Sequence, residues 1–585
     1  MDTTTKLYKI IVIFILFLIG IFIFLGVVLK IIIQDRHLPR LYIEEKNRAL
    51  RGSIISQDGY QVAYSNKLYK VAVNTRCIDP EKRELFVRLF SIYSGIPEKK
   101  VEQIIKKKQG YVVLSYALDT KTAYQLKILS RKLNTMDVFI PYKVNKKRYI
   151  KQTLSILESG ETRVFPYKDT LTPVIGYIGK TEEDRYTKIH GIKGLEKFYE
   201  NIISPKQDGV IRGKRDIGNN IILNKEAFIK KRIDGYNIYL NINLYLQKSL
   251  EKLLDKYKVD LDAREIVAAV MDADSGKILA MASSNRYIPK KIRKKDMTSL
   301  NPKFTEYPFE AGSVLKPVVF ALLLEHNLVS PFDIVKGYNG RMKLGNKYIT
   351  DEHKFDWLSA ENVIVYSSNI GIAQLAQRLH YMQFYNGLKK FGFGKKTGID
   401  LPYEKIGKIL PAYKLKNEIY KATVGYGYGI TVTFVQLLQA YNLFNNDGYK
   451  VVPHIAEFYT LQNGKRIFLH YPKKQKILSS KTVATMYDIL KKVVQKGTAK
   501  ATNISGLDIG GKTGTAQISK RGEYTKSYIS SFFGFANDKK HRYTIGVTVF
   551  EPKTKHFASQ TAVPVFRDIV LELINEGLLV PEEEE

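Results

Sequence analysis

At 585 residues, with 44% hydrophobic and 26% charged, the chain is too long for one domain and too apolar for disorder, so two or three globular units are expected. Its formal charge of +36 is spread as lysine along the whole length, without an arginine-rich stripe or basic helix; this argues against nucleic acid and leaves only a general attraction to anionic lipid or wall polymer. Cys77 is the single cysteine, which excludes an intrachain disulfide and a thiolate metal cluster, and no metal or cofactor is expected.

Residues 1–9 form a short tail, expected to be cytoplasmic, before an unbroken apolar run at residues 10–29, IIVIFILFLIGIFIFLGVVL. At helical rise this run crosses a hydrocarbon core of roughly 30 Å. The first alanine is Ala49, so no Ala-x-Ala exit closes the run, and an uncleaved single-pass signal anchor in the bacterial inner membrane is expected. Lys6, Lys9 and Lys30 flank the run, and Arg36 and Arg40 follow closely, so charge alone does not orient it. Long C-terminal regions translocate largely regardless of charge, and the remainder is placed outside on the pattern of the site described next.

Residues 30–234 read as short β-like runs with a few helices, an extracytoplasmic pedestal for dimerisation or interaction. The head, residues 235–585, opens with NIYLNINLYLQKSLEKLLDKY, a strand running into an amphipathic helix. IVAAVMDADSGKILAMAS follows as a hairpin about Asp274, Ser275 and Gly276. YTIGVTVFEP is a late strand, and the last helix is expected from Val563 to Glu576, stopped by Gly577. Strands first and last with helices between predict an α/β (α+β) head, an antiparallel sheet between helical layers. The Glu582 to Glu585 run reads as a solvated tail.

Three short motifs carry the chemistry. EAGSVLKP holds Ser313 and Lys316, VYSSNIG holds Ser367 and Asn369, and GGKTGTAQ holds Lys512, Thr513, Gly514 and Thr515. Together they match the signature of β-lactamases and penicillin-binding proteins, with Ser368 where that signature prints Asp between Ser and Asn. A serine needs a neighbouring base to become a nucleophile. On a helix beginning after Gly312, with Pro317 in its first turn, Lys316 lies on the face of Ser313. To act as base, Lys316 must be neutral near pH 7 against an ordinary value of about 10.4, a cost of roughly 4 kcal/mol. Burial and a nearby cation push that way, and Lys512 is the candidate cation. A strand through Lys512–Thr515 puts Thr513 and Thr515 on one face, and the N–H groups of Ser313 and Thr515 then form an oxyanion hole. Gly514 is expected to let substrate backbone approach.

Decoys surround these motifs. A second Ser-x-x-Lys, Ser249 to Lys252, sits mid-helix among charges and reads as a solvated face. A second Lys-Thr-Gly, at Lys396, Thr397 and Gly398, reads as a helix stop and turn. Residues 506–513 satisfy the P-loop pattern letter by letter, yet no buried strand precedes them and no helix follows. Glu183 and Asp184, with His190 and Gly191, faintly echo a peptidoglycan glycosyltransferase motif and read as turn and loop.

From the anchor to the C-terminus the chain resembles class B penicillin-binding proteins. Arg51, Gly52, Ser53 and Ile54 with Asp58 and Gly59 resemble the family's opening motif. Arg163 to Pro166 and Gly191 to Glu196 resemble its pedestal motifs. Head matches include Asp272 to Ala280, Thr397 to Pro402, VGYGYGITVTFVQLLQAY, SFFGFA and Ala562 to Phe566. Glu310, Ala311 and Gly312 depart from the usual Glu-Pro-Gly.

The resemblance implies a D,D-transpeptidase acting on peptidoglycan stem peptides and acylated by β-lactams. Ser313 would be the nucleophile and Ser367 a proton relay. Asn369 would hold the donor amide, and Lys512, Thr513 and Thr515 the terminal carboxylate. Asn369 and the VGYGYGITVT and SFFGFA runs resemble the septal branch rather than the rod-elongation branch. An FtsW-type glycan polymerase and other division membrane proteins would then be partners. A β-lactam-sensing receptor, a D,D-peptide hydrolase and a wall-binding module with a dead site are the rival readings.

Overall fold

The computed structural model describes residues 3–33, 41–145, 148–183, 186–216, 221–520 and 523–582. Gln34, Arg36 and Arg40 after the anchor, Asp184 of the glycosyltransferase echo and residues 583–585 of the acidic tail lie outside them. The described chain forms two compact units, residues 1–48 with 207–232 and residues 49–206 with 233–585.

The first unit holds the helix Thr3–Ile33 and a three-stranded antiparallel sheet of Tyr42–Asn47, Gly209–Lys214 and Phe228–Lys230. The helix outruns the apolar stretch at both ends. Among the described residues it alone is long and apolar enough to cross a membrane.

In the second unit one nine-stranded sheet runs Arg466–Phe468, Ala456–Thr460, Asn237–Leu240, Ile54–Ile55, Gln61–Asn74, Ser155–Val164, Tyr186–Gly191 and Ile178–Glu183, with Tyr111–Leu118 also beside Gln61–Asn74. Asn237–Leu240 lies past the expected pedestal boundary, yet it pairs in parallel with Ile54–Ile55 and antiparallel with Ala456–Thr460. Strands from both sides of residue 234 are thus joined by backbone hydrogen bonds in one sheet. Three helices, Arg83–Ser94, Glu98–Lys107 and Thr120–Thr135, contribute to a separate core around Phe86, Phe90, Leu126 and Phe139.

The pedestal motifs meet in a buried ion network. Arg51 donates from Nε to Glu196 Oε2 at 2.8 Å, and Arg163 from Nε to Glu196 Oε1 at 2.7 Å, all three side chains being fully buried. Glu200 takes the rest of the Arg51 fork, and Arg163 also donates to the Gly52 carbonyl at 2.8 Å. Burial alone would push the Glu196 carboxyl up, but Arg163 and Arg51 outweigh it and hold it below the usual range. Glu196→Ala leaves two buried guanidiniums facing one another, so it is expected to destabilise the unit by about 3–5 kcal/mol, read by denaturant unfolding.

The head is built on a five-stranded antiparallel sheet ordered Ile278–Ser283, Glu265–Asp272, Arg542–Phe550, Glu523–Asn537, Asp508–Lys520. Alternation gives the sheet two apolar faces. Phe532 packs edge-on against Phe566 of the helix Ala562–Asn575, while its neighbour Phe533 packs against Phe434 of the helix Phe434–Asn445. The last helix ends as expected before Gly577, in the left-handed region at φ +69°. Asp508–Lys520 is the edge strand, which places Lys512–Thr515 at the rim of the sheet.

Candidate active site

Pro317 has no N–H with which to reach the Ser313 carbonyl, so an α-helix cannot run cleanly through the serine. The chain forms a 3-10 turn, Gly312–Leu315, in which the Lys316 N–H donates to the Ser313 carbonyl. The α-helix, Lys316–Glu325, follows, one turn later than its sequence predicts. It is apolar and buried nearly all round, as befits a helix in the centre of a domain.

The turn is held firmly. The Gly312 N–H donates to the Gly427 carbonyl at 3.0 Å, and the Tyr441 hydroxyl to the Val314 carbonyl at 2.7 Å. Gly427, at φ +91°, allows this approach, since an added Cβ would lie 1.9 Å from the Gly312 oxygen. Against the other side lies the edge strand. An added Cβ on Gly514 would meet Val314 Cγ1 at 2.8 Å and Val314 N at 3.1 Å. Gly514 therefore makes room for the nucleophile turn, and it also lines the cavity beside Thr513 and Thr515.

Lys316 is completely buried, and its Nζ donates to the Ser367 carbonyl at 2.5 Å and the Ser367 hydroxyl at 3.2 Å. Burial brings Lys316 down to about 7, against the opposing pull of Asp351 and Glu352. Lys512 is equally buried, and its Nζ donates to the carbonyl and hydroxyl of Thr513 at 3.1 and 3.2 Å. Burial first, and Lys316 second, push it well below the ordinary range. Lys512 was expected to depress Lys316. Both lysines are lowered, by burial first, and repulsion between the two ammoniums adds to this, while Asp351 and Glu352 oppose it at Lys316 and Glu352 opposes it at Lys512.

Ser367 adopts φ +62°, a left-handed conformation that costs a non-glycine residue about 1–3 kcal/mol. Asp351 holds it there. Its carboxylate accepts from the Ser368 hydroxyl and the Asn369 N–H, both at 2.5 Å, and from the Ile370 N–H at 3.0 Å. Asn369 Nδ2 donates to the Thr350 carbonyl at 3.0 Å. Sequence reading missed Asp351, which carries no motif of its own and arrives from a separate hairpin, Arg341–Leu344 with Lys347–Thr350. On the edge strand Thr513 pairs its hydroxyl with that of Thr498 at 2.7 Å, and Thr515 Oγ1 accepts from the Ala558 N–H at 3.1 Å.

Ser313, Ser367, Asn369, Thr513, Gly514 and Thr515 line one cavity of about 470 Å³. Lys316 and Lys512 stand behind its wall, joined by hydrogen bonds to the lining residues Ser367 and Thr513. All eight residues singled out by sequence thus converge. The decoys do not. Thr397 gives its N–H and hydroxyl to Glu404 at 2.7 and 2.6 Å, and Ser249 sits within the helix Leu244–Asp260. Residues 506–513 run into the edge strand, not a helix, which rules out a P-loop. Lys512→Ala is expected to slow acylation by penicillin by about 100-fold, the scale of one lost electrostatic contact at a reacting centre. Lys396→Ala should leave that rate within a few-fold; second-order acylation rates distinguish the two.

The penicillin binding protein transpeptidase domain matches residues 266–571, more than half of the chain, and the penicillin-binding protein dimerisation domain matches residues 46–240. Penicillin-binding protein PbpB of Mycobacterium tuberculosis is 29% identical over 396 residues, which cover 65% of this chain and 58% of that protein. The chain thus spans under two thirds of that relative. Peptidoglycan D,D-transpeptidase FtsI of Buchnera aphidicola is 26% identical over 541 residues, 90% of this chain and 86% of its own. Among solved structures, penicillin binding protein 2X of Streptococcus thermophilus has a TM-score of 0.74 at 22% identity, covering 93% of this chain and 83% of that one. Penicillin binding protein 3 of Mycobacterium tuberculosis has a TM-score of 0.66 at 22% identity, covering 92% and 98%. Both share the fold.

Proposed function

Because the chain belongs to the penicillin-binding protein transpeptidase family, we propose that it is a single-pass membrane D,D-transpeptidase that cross-links peptidoglycan stem peptides. The observation that carries this reading is the convergence of Ser313, the low-pKa Lys316 and the Ser367 relay on one cavity. Ser313 Oγ attacks the carbonyl between two terminal D-alanines. The Oγ–C bond forms, the C–N bond breaks, and D-alanine leaves. The serine proton passes to Lys316 and reaches the leaving amine through Ser367. Backbone N–H groups of Ser313 and Thr515 hold the oxyanion. Lys512, Thr513 and Thr515 hold the terminal carboxylate, which restores charge to Lys512, and Asn369 holds the donor amide. An amine of a second stem then takes the acyl group. β-Lactams acylate the same serine.

The division of the chain at residue 234, its body outside the membrane and its septal role are parts of the same reading. The relative named FtsI supports the septal branch, in which anchor and pedestal contact an FtsW-type polymerase and other division proteins. Full-length protein in detergent, given donor and acceptor stem peptides, should form the cross-linked dimer; hydrolysis alone would favour a D,D-peptidase. Depletion in cells should give long filaments without completed septa, whereas round cells that still divide would assign the enzyme to elongation.

A further inference from the structure

One charged side chain on the cavity wall has no part in the acyl-transfer roles above. Glu352 lines the cavity beside Thr350, Asp351, Tyr366 and Asn369. It is exposed, and among the described residues its carboxylate has no hydrogen-bond or ion-pair partner. Asp351 beside it is fully occupied by Ser368, Asn369 and Ile370, and Thr350 is tied to Asn369 Nδ2. These bonds pin the backbone immediately before Glu352, so its side chain projects from a fixed point on the wall that Ser367 also lines. It is close enough to the reacting centre for both Lys316 and Lys512 to feel its charge, although neither bonds to it.

The two halves of the reaction bring unlike charges. A donor arrives with a terminal carboxylate, which an unpaired glutamate repels. An acceptor alkyl amine, with an ordinary pKa of about 10.4, arrives as an ammonium. The hydroxyls of Thr513 and Thr515, with Lys512 bonded behind Thr513, and the amide of Gln517 form a separate part of the wall that suits the carboxylate. Resting on the transpeptidase reading, we infer that Glu352 binds the ammonium group of the acceptor stem and sets the preference for amine over water in the second half-reaction. The ammonium sheds one proton to solvent, its nitrogen attacks the ester carbon, and the C–Oγ bond to Ser313 breaks. The amine's second proton passes through Ser367 and Lys316 to the Ser313 oxygen.

The test uses full-length protein in detergent, acylated by a thioester donor, and follows how the acyl-enzyme divides between hydrolysis and transfer. Two acceptors are compared at about pH 8.5, where Lys316 is already neutral: the side-chain amine of a capped lysine peptide, still an ammonium, and aminoacetonitrile, an uncharged amine. Glu352→Gln should lower the transfer-to-hydrolysis ratio for the lysine amine about fivefold, the scale of one partly exposed ion pair, and leave the ratio for the uncharged amine in place. Glu352→Asp should recover part of the loss, and added salt should weaken the wild-type preference. An unchanged ratio, or an equal fall for both amines, overturns the inference while the transpeptidase reading stands. Failure of the wild type to form any acyl-enzyme overturns that reading and this inference with it.

Discussion

Ser313→Ala abolishes covalent labelling by fluorescent penicillin, and Ser249→Ala leaves it intact; a denaturing gel of membranes expressing each variant reads the result. The expectation rests on context, since both serines precede a lysine by three residues. Ser313 lies on the cavity wall in a turn clamped by Gly427 and Tyr441, and its partner Lys316 is wholly buried. Ser249 sits in mid-helix, and its partner Lys252 is exposed to solvent rather than buried behind a cavity wall. A serine without a base reacts too slowly to label. Residual labelling at full strength in Ser313→Ala would place the nucleophile elsewhere and dismantle the whole constellation.

The reacting groups were legible in the sequence because each is tied to a local device. Pro317 after Ser313 and Lys316 marks a helix start, and alternation along Lys512 to Thr515 marks a strand. What was not legible depends on chain segments meeting from far apart. Asp351 holds the Ser367 turn from a hairpin with no signature. The Tyr441 clamp on the nucleophile turn bridges 127 positions. Sequence shows that Gly514 lacks a side chain but not that Val314 packs where one would stand. The shared sheet was invisible for a related reason: a parallel pair between Ile54–Ile55 and Asn237–Leu240 has no turn to announce it. The pedestal motifs were visible as words, but only packing shows that Arg51, Arg163 and Glu196 are one network.

Acylation by penicillin should climb with pH along a limb centred near 7 and level off above it. Lys316 can accept the serine proton only when neutral, and burial brings it down to about 7, so the competent fraction rises as pH passes through that value. An exposed lysine would give a limb near its ordinary value of about 10.4. Lys316→Arg separates charge from basicity: a guanidinium stays protonated throughout, so acylation should fall by about 10²–10⁴-fold and the limb should vanish. A thermal melt confirms that the variant folds. The neighbouring acids supply the sign of a second shift. Asp351 and Glu352 both favour the protonated lysine, so Glu352→Gln should move the limb to lower pH without steepening it. Stopped-flow acylation between pH 5.5 and 9 checks both. A flat profile would mean that another group takes the proton, and a limb moving upward in Glu352→Gln would mean that its carboxylate does not act on Lys316 through its charge.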